Sequence, residues 1–202
     1  QTSFTDTNGL SATSTYYYRV YTVDTNDTYA ASVNEMSATT TPLNYPFSDG
    51  MAGLDQWITS GAWGLTTNTA HGGPGCLTDS PDGNYTADGD DSAQTSLDLR
   101  LASWPVLRFW DRYAVGSSGR AAVEVSGTSM YIVNGTRPEW REQAVDLSWW
   151  AGQANVPVKY RLRRWNGERA DGWYVDDVSV AEHTPVPLSY PFFENFETGL
   201  AN

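Results

Sequence analysis

Apolar and polar residues alternate with a period of two along much of this chain, the pattern of half-buried β-strands. Over residues 15–23, Tyr16, Tyr18 and Val20 share one face, while Tyr17, Arg19, Tyr21 and Val23 share the other. Residues 30–40 read as a closing strand, and Asn8-Gly9 and Asn26-Asp27 are turn signals on either side of the first. Pro46, Gly50 and Gly53 suit an edge strand and a turn within residues 43–57. Further strands are predicted at 63–67, 92–99, 106–113, 121–125, 130–133, 143–146, 158–165 and 173–180. Residues 69–92 form a long polar loop rich in Gly and Asp; loops of this length in compact domains are usually functional or disordered. Helical periodicity is weak throughout. Many short strands between Gly, Pro and Asn turns predict an all-β fold, a β-sandwich or jelly roll.

The last predicted strand breaks its own alternation. In Asp171-Gly-Trp-Tyr-Val-Asp-Asp-Val-Ser-Val180, Trp173 and Val175 share one parity, and Val178 and Val180 have the other. An apolar face changes parity only through an extra residue, so a β-bulge is predicted at Asp176-Asp177. Two adjacent carboxylates at such a bend repel unless a cation neutralises them. The simpler reading is a solvated turn at a strand end.

Composition narrows the function classes. The 202 residues carry 40 % hydrophobic and 13 % aromatic content, ample for a packed core. The formal net charge is −12, a surface that repels nucleic acid and anionic membrane and attracts divalent cations. Lys159 is the only lysine, and Cys76 stands alone, so no disulfide forms within the chain. No run approaches the ~18 apolar residues of a membrane helix. The only histidines are His71 and His183, and H-E-x-x-H, G-x-S-x-G and P-loop motifs are absent. An enzyme is not expected.

Two resemblances organise the chain. Gly9-Leu-Ser-Ala12, Tyr16-Tyr-Tyr-Arg-Val20, Ser32-Val-Asn-Glu35 and Ser37-Ala-Thr-Thr40 resemble the last three strands of a fibronectin type III domain. An independent β-meander is the other reading of that segment. The following body resembles the MAM domain and the MAM-like jelly-roll modules of secreted bacterial peptidases of the immune-inhibitor-A kind. The residues that carry this are Phe47-Ser-Asp-Gly50 with Trp57, Trp63-Gly-Leu-Thr-Thr67, Thr78-Asp-Ser-Pro-Asp-Gly-Asn-Tyr85, Leu107-Arg-Phe-Trp110, Val123-Glu-Val-Ser126, Val145-Asp-Leu-Ser148 and Asp171-Gly-Trp-Tyr-Val-Asp-Asp-Val178. Family members commonly open with Phe-Glu; here Phe47-Ser-Asp49 departs from that, with Asp49 as a shorter substitute. Pro187-Leu-Ser-Tyr-Pro-Phe192 echoes Pro42-Leu-Asn-Tyr-Pro-Phe47. The implied organisation is residues 1–41 as the end of a fibronectin type III-like domain and 42–184 as a MAM-like jelly roll. Residues 185–202 are then a linker and the start of a further module, or a strand-donating tail that adds to another copy through Phe192, Phe193 and Phe196.

Candidate chemistry falls into three groups. The resemblance places the first strand beside the last, so Asp49 would join Asp176 and Asp177, with Asp79, Asp82 and Asp88 from the acidic loop, in a structural calcium site. Asp and Gly are also plain turn formers. Trp140, Trp149 and Trp150 are candidate sugar platforms, because an indole face stacks on a sugar ring; the alternative is core and module interface. Asn26, Asn84 and Asn134 head glycosylation sequons. The expected function is a non-catalytic, calcium-stabilised extracellular or cell-surface module for adhesion, recognition or assembly in a larger protein. Its partners would be neighbouring modules, further copies and glycans. The alternatives are a carbohydrate-binding module of a secreted enzyme, a subunit of a surface fibre, or an accessory domain of a secreted peptidase.

Overall fold

The computed structural model describes residues 15–21, 23–26, 28–29, 34–39, 43–85 and 88–185. The boundary at residues 41–42 and the tail 186–202, with its expected strand donation, lie outside the described residues. Near the start, β1 (Thr15–Val20) pairs antiparallel with β2 (Asn34–Thr39), Thr15 opposite Thr39. Tyr17 and Met36 are exposed on this hairpin, and a Val23–Tyr29 bridge lies in the intervening segment.

From Leu43 on, two six-stranded sheets face each other across one core, a jelly-roll β-sandwich. The first holds β3 (Leu43–Asn44), β5 (Ile58–Thr59), β8 (Gly89–Asp98), β10 (Gly119–Val125), β11 (Thr128–Val133) and β13 (Val156–Arg164). Its order is β11-β10-β13-β8-β3, with β5 also on β8. The second holds β4 (Phe47–Asp49), β6 (Gly64–Thr66), β7 (Cys76–Thr78), β9 (Pro105–Val115), β12 (Gly135–Asp146) and β14 (Gly172–Glu182). Here the order is β12-β9-β14-β7-β6, with β4 also on β14. The alternation drives this directly: Val156, Val158, Tyr160 and Leu162 point into the core from β13, while Lys159, Arg161 and Arg163 have the other parity. Trp173 is fully buried between Trp63 and Tyr160 rings, and its indole N–H donates to Asp111 at 3.1 Å.

Three expectations change. The stretch 69–92 is not one loop: β7 lies inside it and β8 begins at Gly89. At three residues, Cys76–Thr78 is too short for a period to show in sequence. The strand expected at 143–146 starts at Gly135, with a register shift between Arg137 and Arg141 that hides its alternation. β5 was not expected at all; its two residues pair with Gln94 and Ala93 of β8.

Strand directions give the sandwich two distinct ends. The chain enters at β3 and leaves after β14 at one of them, where Leu43 pairs with Leu97 and Glu182 with Pro105. At the other end β7, β9 and β13 finish and β8, β10 and β14 begin, with Gly89 and Gly119 both paired to Arg164 and Gly172 paired to Ala114.

Candidate functional site

Charged residues occupy core-facing positions at the end away from the chain's entry and exit. Arg164 continues the inward parity of Tyr160 and Leu162, Asp91 that of Ala93, and Asp79 that of Leu77. Asp79 has no solvent exposure. Its Oδ1 accepts the Trp173 backbone N–H at 2.7 Å, but its Oδ2 accepts no hydrogen bond. Arg164 Nη1 lies 3.7 Å from Oδ2. Arg164 Nη2 is paired with Asp91, while Arg164 Nε is buried without a partner. Burial pushes the Asp79 carboxyl up to about 7, against the pull of the Trp173 N–H and Arg164. The Tyr85 ring lies 5.3 Å from the guanidinium carbon, and its hydroxyl accepts the Gly116 N–H at 3.1 Å. Gly172, at φ 96°, leaves room here, because a Cβ would collide with Ser80 Oγ and the Asp79 carboxylate.

These groups floor a pocket of about 300 Å³, completed by Ala62, Ser80, Pro81, Asp82, Gly83 and Asn84. A buried acceptor and a buried donor without partners each cost roughly 1–3 kcal/mol. A ligand carrying both a donor and an acceptor would satisfy them together. Arg164 and Tyr85 carried no signal of their own in sequence. The clue available was a charged residue at a core-facing position of an otherwise alternating strand.

The Asp176-Asp177 bulge is present: the β14–β9 register shifts between Asp176 and Ser179, and Asp177 has φ 47°. β4 lies beside it, with Asp49 opposite Val178. Asp176 is fully buried and neutralised by backbone donors: His71 and Gly72 N–H reach Oδ2 at 2.7 and 3.0 Å, and Asp177 N–H reaches Oδ1 at 2.7 Å. Burial raises the Asp176 carboxyl, and these N–H groups oppose the rise. His71 Nδ1 sits 2.7 Å from Asp177 Oδ2, and the His71 ring stacks on Trp110 at 3.7 Å. Asp49 is spent on Met51 N–H at 2.8 Å and Trp57 Nε1 at 2.7 Å.

The six expected calcium ligands therefore do not gather. Asp79 is bound to Trp173, three residues before Asp176 and so about 10 Å away along an extended strand. Asp82 is on the exposed pocket rim, and Asp88 accepts the Gly167 N–H at 2.7 Å. Among the described residues no three His, Cys, Asp or Glu side chains converge as a metal site. Glycines line the corner around Asp177. A Cβ on Gly72 would lie 2.7 and 2.9 Å from the two Asp177 oxygens, and one on Gly73 would lie 2.7 Å from the Gly50 carbonyl oxygen. This glycine-lined cradle offers a carboxylate and a carbonyl, short of the six to eight oxygens calcium takes.

The three tryptophans do not form one platform. On the 3₁₀ turn Ser148–Trp150, Trp149 is 85 % exposed and Trp150 is buried. Trp149 lies at the entry end of the sandwich, where Leu101 and Trp104 are also exposed. Trp140, half-buried, neighbours His71 at 6.1 Å and has the Arg112 guanidinium 5.7 Å from its ring. Asn26, Asn84 and Asn134 are exposed, and Asn84 stands on the pocket rim.

No family model matches the chain, and no curated protein does. Similar solved structures include a xylan-binding domain of carbohydrate-binding module family 22 (15 % identity, TM-score 0.48, covering 71 % of this chain and 97 % of that one). A C-terminal family 22 carbohydrate-binding module of Clostridium thermocellum Xyn10B is similar at 15 % identity and TM-score 0.47, over 67 % and 92 % of the two chains. A family 43 arabinoxylan arabinofuranohydrolase from Bacillus subtilis is similar at 13 % identity and TM-score 0.48, over 81 % of this chain and 33 % of that one. At these values the likeness supplies no argument about what this chain binds.

Proposed function

We propose that this chain is a non-catalytic extracellular β-sandwich module that recognises carbohydrate in the pocket at the free end of the sandwich. One observation carries this: Asp79 and Arg164, whose charged groups approach to 3.7 Å, line a pocket while Asp79 Oδ2 and Arg164 Nε are buried without partners. Sugar hydroxyls donate and accept at once, so a single polyol answers both. The position suits the same reading, because the chain enters and leaves the sandwich at the opposite end.

Affinity electrophoresis through gels containing xylan, galactan or β-glucan tests it. Retardation by at least one polysaccharide, abolished by Ala62→Trp at the exposed rim, is the expected result. Unchanged mobility in every gel would refute it.

A second reading, adhesion or assembly, is favoured by the exposed Leu101, Trp104 and Trp149 at the entry end, since apolar surface grouped near a linker suits a module–module contact. Calcium belongs to the proposal only at the Asp177–Gly50–Gly72 corner. With so few protein oxygens there, water would complete the shell, and affinity would fall in the ~10⁻⁴–10⁻³ M range of extracellular modules.

A further inference from the structure

Resting on the glycan reading, we infer that the pocket takes the terminal residue of a neutral glycan end-on, gripping a vicinal hydroxyl pair between Asp79 and Arg164. Shape is the first reason. About 300 Å³ is the lower limit for a small-molecule pocket, room for one sugar ring. Its walls are the loop Ser80–Tyr85 and Ala62 at the tip of the sandwich, not an open groove along a sheet.

The sheet faces offer a long polysaccharide no free aromatic track among the described residues. Outside the first sheet, Arg161 and Arg163 are locked to Asp90 and Glu124 in one ion-pair network. Outside the second, His71 covers Trp110 at 3.7 Å, and Arg112 lies 4.5 Å from the Tyr174 ring and 5.7 Å from that of Trp140. Each ring there already has a cationic or aromatic partner.

Charge is the second reason. The one guanidinium of the floor is already paired with Asp91, and the exposed rim adds the Asp82 carboxylate. The chain as a whole carries −12. A uronate or sialate would meet repulsion, whereas adjacent neutral hydroxyls present one donor to Asp79 Oδ2 and one acceptor to the Arg164 guanidinium. The Asn84 amide, on the rim, can both donate and accept to the ring's outer hydroxyls.

The test is ¹H–¹⁵N NMR titration of the full chain with D-glucose, D-galactose, D-mannose and D-xylose, with D-glucuronate and D-galacturonate, and with a trisaccharide of whichever neutral sugar binds. At least one neutral monosaccharide should shift the amides of Gly83, Asn84, Tyr85 and Trp173. The matching trisaccharide should bind within about twofold of it, because further residues meet only solvent. Asp79→Asn, which keeps an acceptor for the Trp173 N–H, should weaken binding about tenfold or more, because its amide nitrogen would replace the Oδ2 acceptor. Ala62→Trp should remove binding while leaving the spectrum dispersed. A trisaccharide bound more than about tenfold tighter than the monosaccharide, or a uronate bound as well as its neutral parent, overturns the end-on inference and leaves carbohydrate recognition standing. Shifts confined to Trp110 and Trp140 overturn the pocket assignment. No shift with any sugar or trisaccharide overturns the glycan function itself.

Discussion

The Asp79 carboxylate and the Arg164 guanidinium stand 3.7 Å apart with side-chain exposures of 0 % and 8 %, at positions whose parity belongs to the hydrophobic core. Removing two charges from water costs several kcal/mol each before their attraction is counted. The pair is incompletely compensated, since an oxygen of one and a nitrogen of the other lack hydrogen bonds. A stability-optimised end would be apolar, so this pair marks a place where the fold departs from the most stable packing.

Stability should therefore depend on pH through Asp79. Its folded carboxyl is raised to about 7 from an ordinary value of 3.8, so the folded state binds the proton more tightly than the unfolded one. That contribution is fully present below pH ~4 and is lost as pH rises through ~7. Thermal melts from pH 5 to pH 8 should show a fall in Tm that is smaller in Asp79→Asn, which stays neutral throughout. Equal slopes for the two proteins would show that the buried carboxyl is not the titrating group.

Trp173 is the anchor of β14, packed against Trp63 and Tyr160 with its indole N–H on Asp111. Trp173→Ala should cost roughly 3–5 kcal/mol in urea unfolding. Trp173→Phe should cost less in packing but strand one hydrogen bond of Asp111, which keeps Arg137 and Tyr131. A Phe variant as unstable as the Ala variant would place the energy in the Asp111 contact instead of the ring.

The adjacent tryptophans should separate cleanly. Trp150→Ala should destabilise by roughly 3–5 kcal/mol, as expected of a buried ring. Trp149→Ala should leave stability within about 0.5 kcal/mol, as surface changes usually do. If Trp149 serves assembly, its removal should lower self-association in sedimentation velocity without altering polysaccharide retardation. Loss of retardation would move the sugar site to the entry end.

Calcium is expected to act weakly and locally. Millimolar calcium should raise Tm and EDTA should reverse the rise, because a ligand bound only by the folded state stabilises it by mass action. Asp177→Asn should abolish the difference while tolerating the positive φ at that position. Asp79→Asn and Asp88→Asn should retain it. Superimposable melts with and without chelator, on protein stripped of metal, would remove calcium from the account.

Local pattern alone established the all-β class, most strands and the bulge at Asp176-Asp177, because parity is a property of neighbouring residues. Trp173 was legible as a core residue for the same reason. What local pattern could not do was sort the acidic residues. Asp79, Asp82, Asp88 and Asp176 look alike in sequence, yet one accepts the Trp173 N–H, one lies on an open rim, one caps Gly167 and one is surrounded by backbone donors at the bulge. Their partners lie some 80 to 105 residues away along the chain, at distances on which no periodicity bears. The pocket is the clearest case. Arg164 and Asp79 belong to different sheets and meet only because β13 and β7 end at the same tip of the sandwich. Sequence determined which way each side chain would point; only the closing of two sheets decided what it would find there.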